Sequence, residues 1–484
     1  MGSKENDLLY GGAYSIKDYY MESGNPKQMR GASELLSESA EELKRILLSD
    51  CISDGIVEEH IIVSGASLSA LVPLGKGNEY VEKAESIFRK NCRTASAAFV
   101  TVECSEDNYK LAKRQAEAKY ESRRAAKFTS WRYQNSNEEV NEKTIDYKDL
   151  QDESIKEELT QLRIPTRCPR CRIRTPRYYV PDNPVDEQFL CTSCAQRVSQ
   201  SKKERFHRKL ECGEACGVEF DKKSMDIKTM EDLGDKKGRV ALLYADINNL
   251  GGQEEKDSFA KDREFHSNVE SLVKDAVHKA IIKALETGDY RDRKSGLLEA
   301  KFEIITLAGD DICLLLPGNV ALLTAKTITD IFSKNNLGLT ISVAVCVAND
   351  TTPLTYMERL VDHALDKAKK HDQVDKSSIV NLSFFEQPSM LFPMTASELD
   401  RFTSMLKESS SLAVTAMRSI AAARRDMVFD EEFTLFLDYH LSRDLFRNNR
   451  QTLDDIRKGY PGKNPWPDFV VWRNQLLDKE VSGD

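Results

Sequence analysis

One stretch of this chain can be laid on another at a constant offset of 244 residues. His60-Ile61-Ile62-Val63-Ser64-Gly65-Ala66-Ser67 through Pro73 runs against the segment ending at Pro317, so that Gly65 meets Gly309, Ala66 meets Asp310, Ser67 meets Asp311 and Phe88 meets Phe332. A match that keeps a turn glycine, a proline and an aromatic in step predicts two copies of one supersecondary unit. The second copy carries carboxylates where the first carries Ala66 and Ser67. The copies can therefore share a fold without sharing a chemistry.

The chemistry gathers on two acidic stretches, Tyr244-Ala245-Asp246-Ile247-Asn248-Asn249-Leu250-Gly251-Gly252 and Leu307-Ala308-Gly309-Asp310-Asp311-Ile312. Each joins an apolar, strand-like run to carboxylates: Arg239 to Leu243 before the first, and Phe302 to Ile305 and Cys313 to Leu316 around the second. Three strands would bring Asp246, Asp310 and Asp311 to one sheet end. Gly309 permits a tight hairpin that keeps adjacent carboxylates at the sheet. Two divalent cations about 4 Å apart, bridged by shared oxygens, are what such a set can hold. An isolated Gly-Asp-Asp reads as an ordinary acidic hairpin. The upstream strand-Asp-x-x-Asn-x-Gly element favours a site.

These residues resemble the catalytic palm of the large cyclase subunit of type III CRISPR effectors, related to GGDEF nucleotide cyclases. That family carries an Asp on its first strand and a Gly-Gly-Asp-Asp hairpin. Here Ala308 stands for the first glycine, and Asn248 stands where a second acid often follows the strand Asp. The resemblance implies an α+β chain with two ferredoxin-like palm domains, the first degenerate, an intervening zinc-binding module and a C-terminal helical domain. It implies a nucleotidyltransferase that makes cyclic or linear oligoadenylates from ATP, with two Mg or Mn ions on Asp246, Asp310, Asp311 and the Ile247 carbonyl. Asn249, Leu250, Gly251 and Gly309 would contact the nucleotide. The choice of adenine rests on the resemblance alone. The last palm helix, ending Ala364-Leu365-Asp366-Lys367-Ala368-Lys369-Lys370, matches the family's Ala-Leu-x-x-Ala-Lys, which places Lys369 on the triphosphate; a solvated helix-end lysine is the plainer account. CRISPR ribonucleoprotein subunits or target RNA are the implied partners. Two competing readings stay open: a non-catalytic scaffold in an RNA-guided complex, against which the retained carboxylates speak, and a GTP-using dinucleotide cyclase, whose Glu-Phe hairpin ending is missing. His371-Asp372 reads as an isolated dipeptide in a loop rather than a nuclease centre, since no helical domain precedes the first palm.

Eleven cysteines would suggest disulfides if they were not arranged for metal. Cys168-x-x-Cys171 and Cys191-x-x-Cys194 are two turns that each aim two thiolates at one ion, the pattern of a closed structural zinc site. Cys212 and Cys216 read as free thiols, and Cys51, Cys92, Cys104, Cys313 and Cys346 as core. Around the zinc pair stand Arg163, Arg167, Arg170, Arg172, Arg174 and Arg177, either a solvated basic face or a contact for RNA phosphates.

A chain of 484 residues, 40% hydrophobic and 31% charged with net charge −9, can build two to four cores and has no general field for nucleic acid. No apolar run is long enough to span a membrane, and the start lacks a signal-peptide core, so the expectation is cytoplasmic. In order, the domains are expected at 1–130 (first palm), 131–235 (linker and zinc module), 236–392 (second palm) and 393–484 (helical). Leu8 to Tyr20 is expected to be a strand that breaks at Gly11-Gly12 into a helix; that glycine turn is either a phosphate contact or a plain connection. Residues 135–152 are expected to be an exposed linker. The second palm is expected as βαββαβα, closing on a helix that starts at Thr352-Pro353. Leu399, Phe402, Met405, Leu406, Leu435, Leu437 and Leu441 are the apolar positions of the helical end, interrupted by Pro461 to Pro467.

Overall fold

The computed structural model describes residues 5–50, 57–125, 145–146, 166–180, 189–203, 206–227, 229–248, 250, 256–375, 377–384 and 391–409, with short pieces between 418 and 472. The chain forms two compact units. The first holds Met1–Cys212, Gly251–Lys274 and Ile304–Asp311, and the second holds Gly213–Leu250, Asp275–Glu303 and Ile312–Asp484.

In the first unit the elements run β1 (Asn6–Tyr14), α1 (Ile16–Met21), α2 (Pro26–Asp50), β2 (Ile61–Ser64), β3 (Ser67–Pro73), α3 (Gly77–Asn91), β4 (Ser96–Cys104) and α4 (Tyr109–Ala125). The strands make one antiparallel sheet in the order β2-β3-β1-β4. Leu8, Val100, Val102, Tyr109, Ala112 and Ala116 form the core under α4. β1 does not break at its glycines: the ladder continues through Gly11 opposite Phe99 and Gly12 opposite Ala98, to Tyr14 opposite Ser96. The glycines answer to packing instead. A Cβ on Gly11 would lie 2.2 Å from the Ala98 carbonyl oxygen, and one on Gly12 would lie 2.5 Å from that of Ala66. The expected glycine turn at a helix start is therefore replaced by a strand, and α1 begins only after Ser15.

Three short strands, β5 (Ile145–Asp146), β6 (Tyr178–Tyr179) and β7 (Phe189–Leu190), form a sheet in that order, so part of the expected linker pairs with the zinc module. Helices α5 (Thr192–Lys203) and α6 (His207–Cys216) follow.

The second copy adds β8 (Phe220–Asp221), β9 (Arg239–Asn248), α7 (Phe259–Thr287), β10 (Leu298–Glu299), β11 (Glu303–Ala308), β12 (Asp311–Pro317), α8 (Ala321–Phe332), β13 (Thr340–Asn349), α9 (Leu354–Asp375) and β14 (Ile379–Phe384). β8 pairs with β10 in a small sheet. The main sheet has the order β11-β12-β9-β13-β14-β15, with β15 at Met394–Thr395. The repeat is visible in the element bounds. At an offset of 244, β3 falls on β12 at both ends, and α3 and β4 start where α8 and β13 start. Both hairpin turns use a left-handed glycine, Gly65 at φ 59° and Gly309 at φ 63°, a conformation that other residues adopt only at a cost.

The sheet exceeds the expected βαββαβα by β14, which lies parallel to β13 from Ser342 opposite Ile379 onward. Its alternating Ile379-Val380-Asn381-Leu382-Ser383-Phe384 carried the signal, and Asn381 anchors it by donating to the Ala364 carbonyl at 2.8 Å. α9 also runs past Lys370 to Asp375, so His371 and Asp372 are helical rather than in a loop. In α10 (Ala396–Glu408), capped by Thr395 and Glu398, Leu399, Phe402 and Leu406 are buried. Met405 is half-buried, while Leu435 is exposed. Leu437, Leu441 and Pro461 to Pro467 lie outside the described residues. Among the described residues no helix is long and apolar enough to cross a membrane.

Within the first unit, the start of α7 is fixed by a buried charge. Asp262 is 3% exposed; Tyr109 Oη donates to it at 2.7 Å, and Lys113 Nζ donates to both oxygens at 2.8 and 2.7 Å. Burial, then the Asp262 charge, pushes the Tyr109 hydroxyl pKa far up, so the phenol stays a donor. Removing one member of such a pair strands the other in low dielectric. Asp262→Ala is expected to cost about 3 kcal/mol of stability, read as a lower denaturation midpoint; an unchanged midpoint would show that the pair contributes nothing.

Candidate functional site

β9 carries Asp246 near its C-terminal end, opposite Ser342 of β13. Its neighbour Ile247 is buried and faces Ile341 in the ladder. Asn248, on the same face as Asp246 by strand alternation, is held by β13: Nδ2 donates to Thr340 Oγ1 at 3.1 Å, and Ser342 Oγ donates to Oδ1 at 2.7 Å. The amide that replaces the family's second acid is thus absorbed into the sheet. Lys369, in the second turn from the end of α9, places Nζ 2.7 Å from Asp246 Oδ2, with the aspartate side chain only 17% exposed. The lysine side chain is itself 41% exposed, so it is both paired and open to solvent.

Gly309, Asp310 and Asp311 form the hairpin turn and the start of β12, all half-buried. In the first unit, the position of a Cβ on Gly309 would be 3.1 Å from Ser64 Oγ, so the acidic turn abuts the corresponding turn of the first copy. Leu250 is half-buried; Asn249 and Gly251 lie outside the described residues.

The repeat shows what the first copy has at each of these positions. Ala98 of β4 corresponds to Ser342 at the offset of 244; Ala98 pairs with Gly12, as Ser342 pairs with Asp246. Gly12 is therefore the counterpart of Asp246, Ala66 of Asp310, Ser67 of Asp311 and Ala125 of Lys369. Three acids and one lysine are present together in one copy and missing together in the other. Gly12 could not be matched from sequence, because β1 and β9 are related through their ladders and not at the common offset.

The four expected zinc thiols converge. Cys168, Cys171, Cys191 and Cys194 are buried, and their sulfurs all lie within 4.8 Å of one another. Cys171 Sγ and Cys191 Sγ are 3.8 Å apart, the edge of a tetrahedron with metal–sulfur bonds of about 2.3 Å. The donor set and its spacing fit one structural zinc. Among the described residues no other group of three or more His, Cys, Asp or Glu donors closes this tightly. Cys212 is buried and Cys216 half-buried; neither belongs to the cluster, and Cys51 lies outside the described residues.

The cluster is tied to the first palm through Glu22. Arg174 donates to its Oε1, and Arg197, fully buried, donates to Oε2 at 2.6 Å and to Thr94 Oγ1 at 3.1 Å. Arg197 also stacks 4.3 Å from the Tyr19 ring. Of the arginine-rich segment, Arg167, Arg172 and Arg177 are exposed, Arg170 and Arg174 are half-buried, and Arg163 is outside the described residues. Sequence reasoning missed Glu22, whose role depends on contacts more than 150 residues away.

One family profile, Cas10/Cmr2, second palm domain, matches residues 239–379. No curated protein sequence matches the chain. In fold the chain is similar to Csm1 of T. onnurineus, with 15% identity and TM-score 0.62 over 98% of this chain and 70% of that one. It is similar over the same shares to a Csm1-Csm4 cassette in complex with cA4, at 13% identity and TM-score 0.61, and to the cassette in complex with one ATP, at 14% and 0.60. Residues 239–379 thus match the Cas10/Cmr2 second palm domain, within a chain whose fold is similar to that of Csm1.

Proposed function

We propose that this protein is a nucleotidyltransferase that joins ATP into cyclic or linear oligoadenylates, with Asp246, Asp310 and Asp311 as its catalytic carboxylates. The observation that carries the reading is the joint retention of these acids and Lys369 in one palm and their joint loss in the other. The domain division expected from the sequence, at 130, 235 and 392, goes with this proposal.

Carboxylates with the Ile247 carbonyl are a hard-oxygen set suited to Mg or Mn, and the ammonium of Lys369 on Asp246 shows that this carboxylate can take a cationic partner. Two such ions, when bound, would make the attacking hydroxyl more acidic and stabilise the departing pyrophosphate. Lys369 would balance triphosphate charge. Gly309 would let the turn approach the nucleotide, and Asn249, Leu250 and Gly251 would offer backbone N–H groups to phosphates. Adenine, and a Csm4-like partner within an RNA-guided complex, are proposed by analogy with the cassettes solved with ATP and cA4.

Incubation with ATP and with GTP, each with Mn²⁺, followed by mass analysis, tests the reading. Oligoadenylates from ATP alone are expected. Guanine products would favour the dinucleotide-cyclase alternative, and no product from either nucleotide, with or without target RNA and partner subunits, would favour the scaffold.

A further inference from the structure

The acidic turn is the end of a hairpin whose outer strand, β11, lies at the edge of the sheet. An edge strand leaves one row of backbone groups without ladder partners, and the turn it carries is only as fixed as that edge. Within the first unit a side chain from α6 reaches this strand. Arg208, on α6, donates from Nη1 to the carbonyl oxygens of Ile304, at 3.0 Å, and Ile305. Its Nη2 donates to Ser33 Oγ at 3.2 Å, and its Nε lies 3.7 Å from Glu34 Oε1, with the two side chains 15% and 8% exposed.

Ser33 and Glu34 lie on α2, on the face where Arg30 donates to Ser201 Oγ of α5 at 3.2 Å. Gly31, between them, packs so tightly on α5 that a Cβ there would be 2.1 Å from the Arg197 carbonyl oxygen. α2 is thus seated on the helix that starts at the zinc cluster, and Arg208 joins it to a strand ending next to Gly309-Asp310-Asp311. In the first copy His60 and Ile61 stand at the positions of Ile304 and Ile305, and its turn carries Ala66 and Ser67 in place of the two acids.

We propose that Arg208 is a positioning residue for the acidic turn, fixing the β11 edge to α2 so that Asp310 and Asp311 are held in one place. This rests on the reading of those carboxylates as catalytic. The planar guanidinium is needed because one group must serve two carbonyls, a hydroxyl and a carboxylate at once. A lysine, with its donors on a single nitrogen, can serve only some of them.

The test uses the full chain with Arg208→Met and Arg208→Lys, comparing amide hydrogen exchange across residues 303–317 and steady-state kinetics with ATP. Arg208→Met is expected to raise exchange in 303–317 about tenfold while leaving 340–349 unchanged. It should lower kcat by roughly 10- to 100-fold with KM for ATP within about twofold, and Arg208→Lys should fall between it and the parent. Unchanged exchange in 303–317, or a rise spread evenly over the chain, would overturn the proposal. Altered local exchange with unaltered kcat would overturn the link to catalysis. Should the parent protein form no product under any condition, the catalytic reading falls, and the exchange measurement alone still decides whether Arg208 holds the turn.

Discussion

Asp310→Ala combined with Asp311→Ala is expected to abolish oligoadenylate synthesis, lowering turnover on the order of 10³-fold or more. These carboxylates would hold the ions that carry several kcal/mol of transition-state stabilisation, and each 1.4 kcal/mol is about tenfold in rate. Stability should not fall with activity. Two adjacent carboxylates at a half-buried turn repel one another, so removing both should leave the melting temperature unchanged or slightly higher. The first copy supplies an internal control: Ser67→Ala, at the counterpart of Asp311, should leave Mn²⁺ binding as it was. Product formation by the double variant at the parent rate would remove Asp310 and Asp311 from the site.

The second large effect is expected at the zinc cluster. Cys191→Ser with Cys194→Ser should take bound zinc from about one ion per chain to near zero, because two thiolates cannot close a tetrahedral site. The loss should spread. α5 starts at Thr192, and Arg197 on it reaches Glu22 and Thr94 of the first palm, so residues 166–203 are expected to become sensitive to limited proteolysis. Structural zinc of this kind contributes on the order of 10 kcal/mol to the fold it closes. Unchanged zinc content and an unchanged cleavage pattern in the double variant would refute the assignment.

What could be read from the sequence was local. The hairpin around Gly309, the two Cys-x-x-Cys turns and the amphipathic helices carry their signals within a few residues, and the repeat preserves them at a fixed spacing. Gly11-Gly12 misled because glycine marks both turns and close strand approach; only the position of β1 between β3 and β4 decides between them. β14 was missed because it follows the last expected helix as a short alternating run. Arg208, Glu22 and Asp262 gave no signal at all. Each is an ordinary charged residue in sequence and becomes informative only through partners far along the chain.

Gly12 also bears on history. Reinstating a carboxylate there would set a Cβ 2.5 Å from the Ala66 carbonyl oxygen and 2.6 Å from the Ser67 Cα, both backbone atoms that cannot swing aside. Asp could stand at position 67, which is exposed, but at position 66 it would bury a charge in place of Ala66, 5% exposed, and at position 12 the neighbouring strands would first have to move apart. A carboxylate at position 12 is therefore out of reach of a single substitution that leaves the strands beside β1 in place, so the acid set proposed for the second copy cannot be rebuilt in the first by point changes alone.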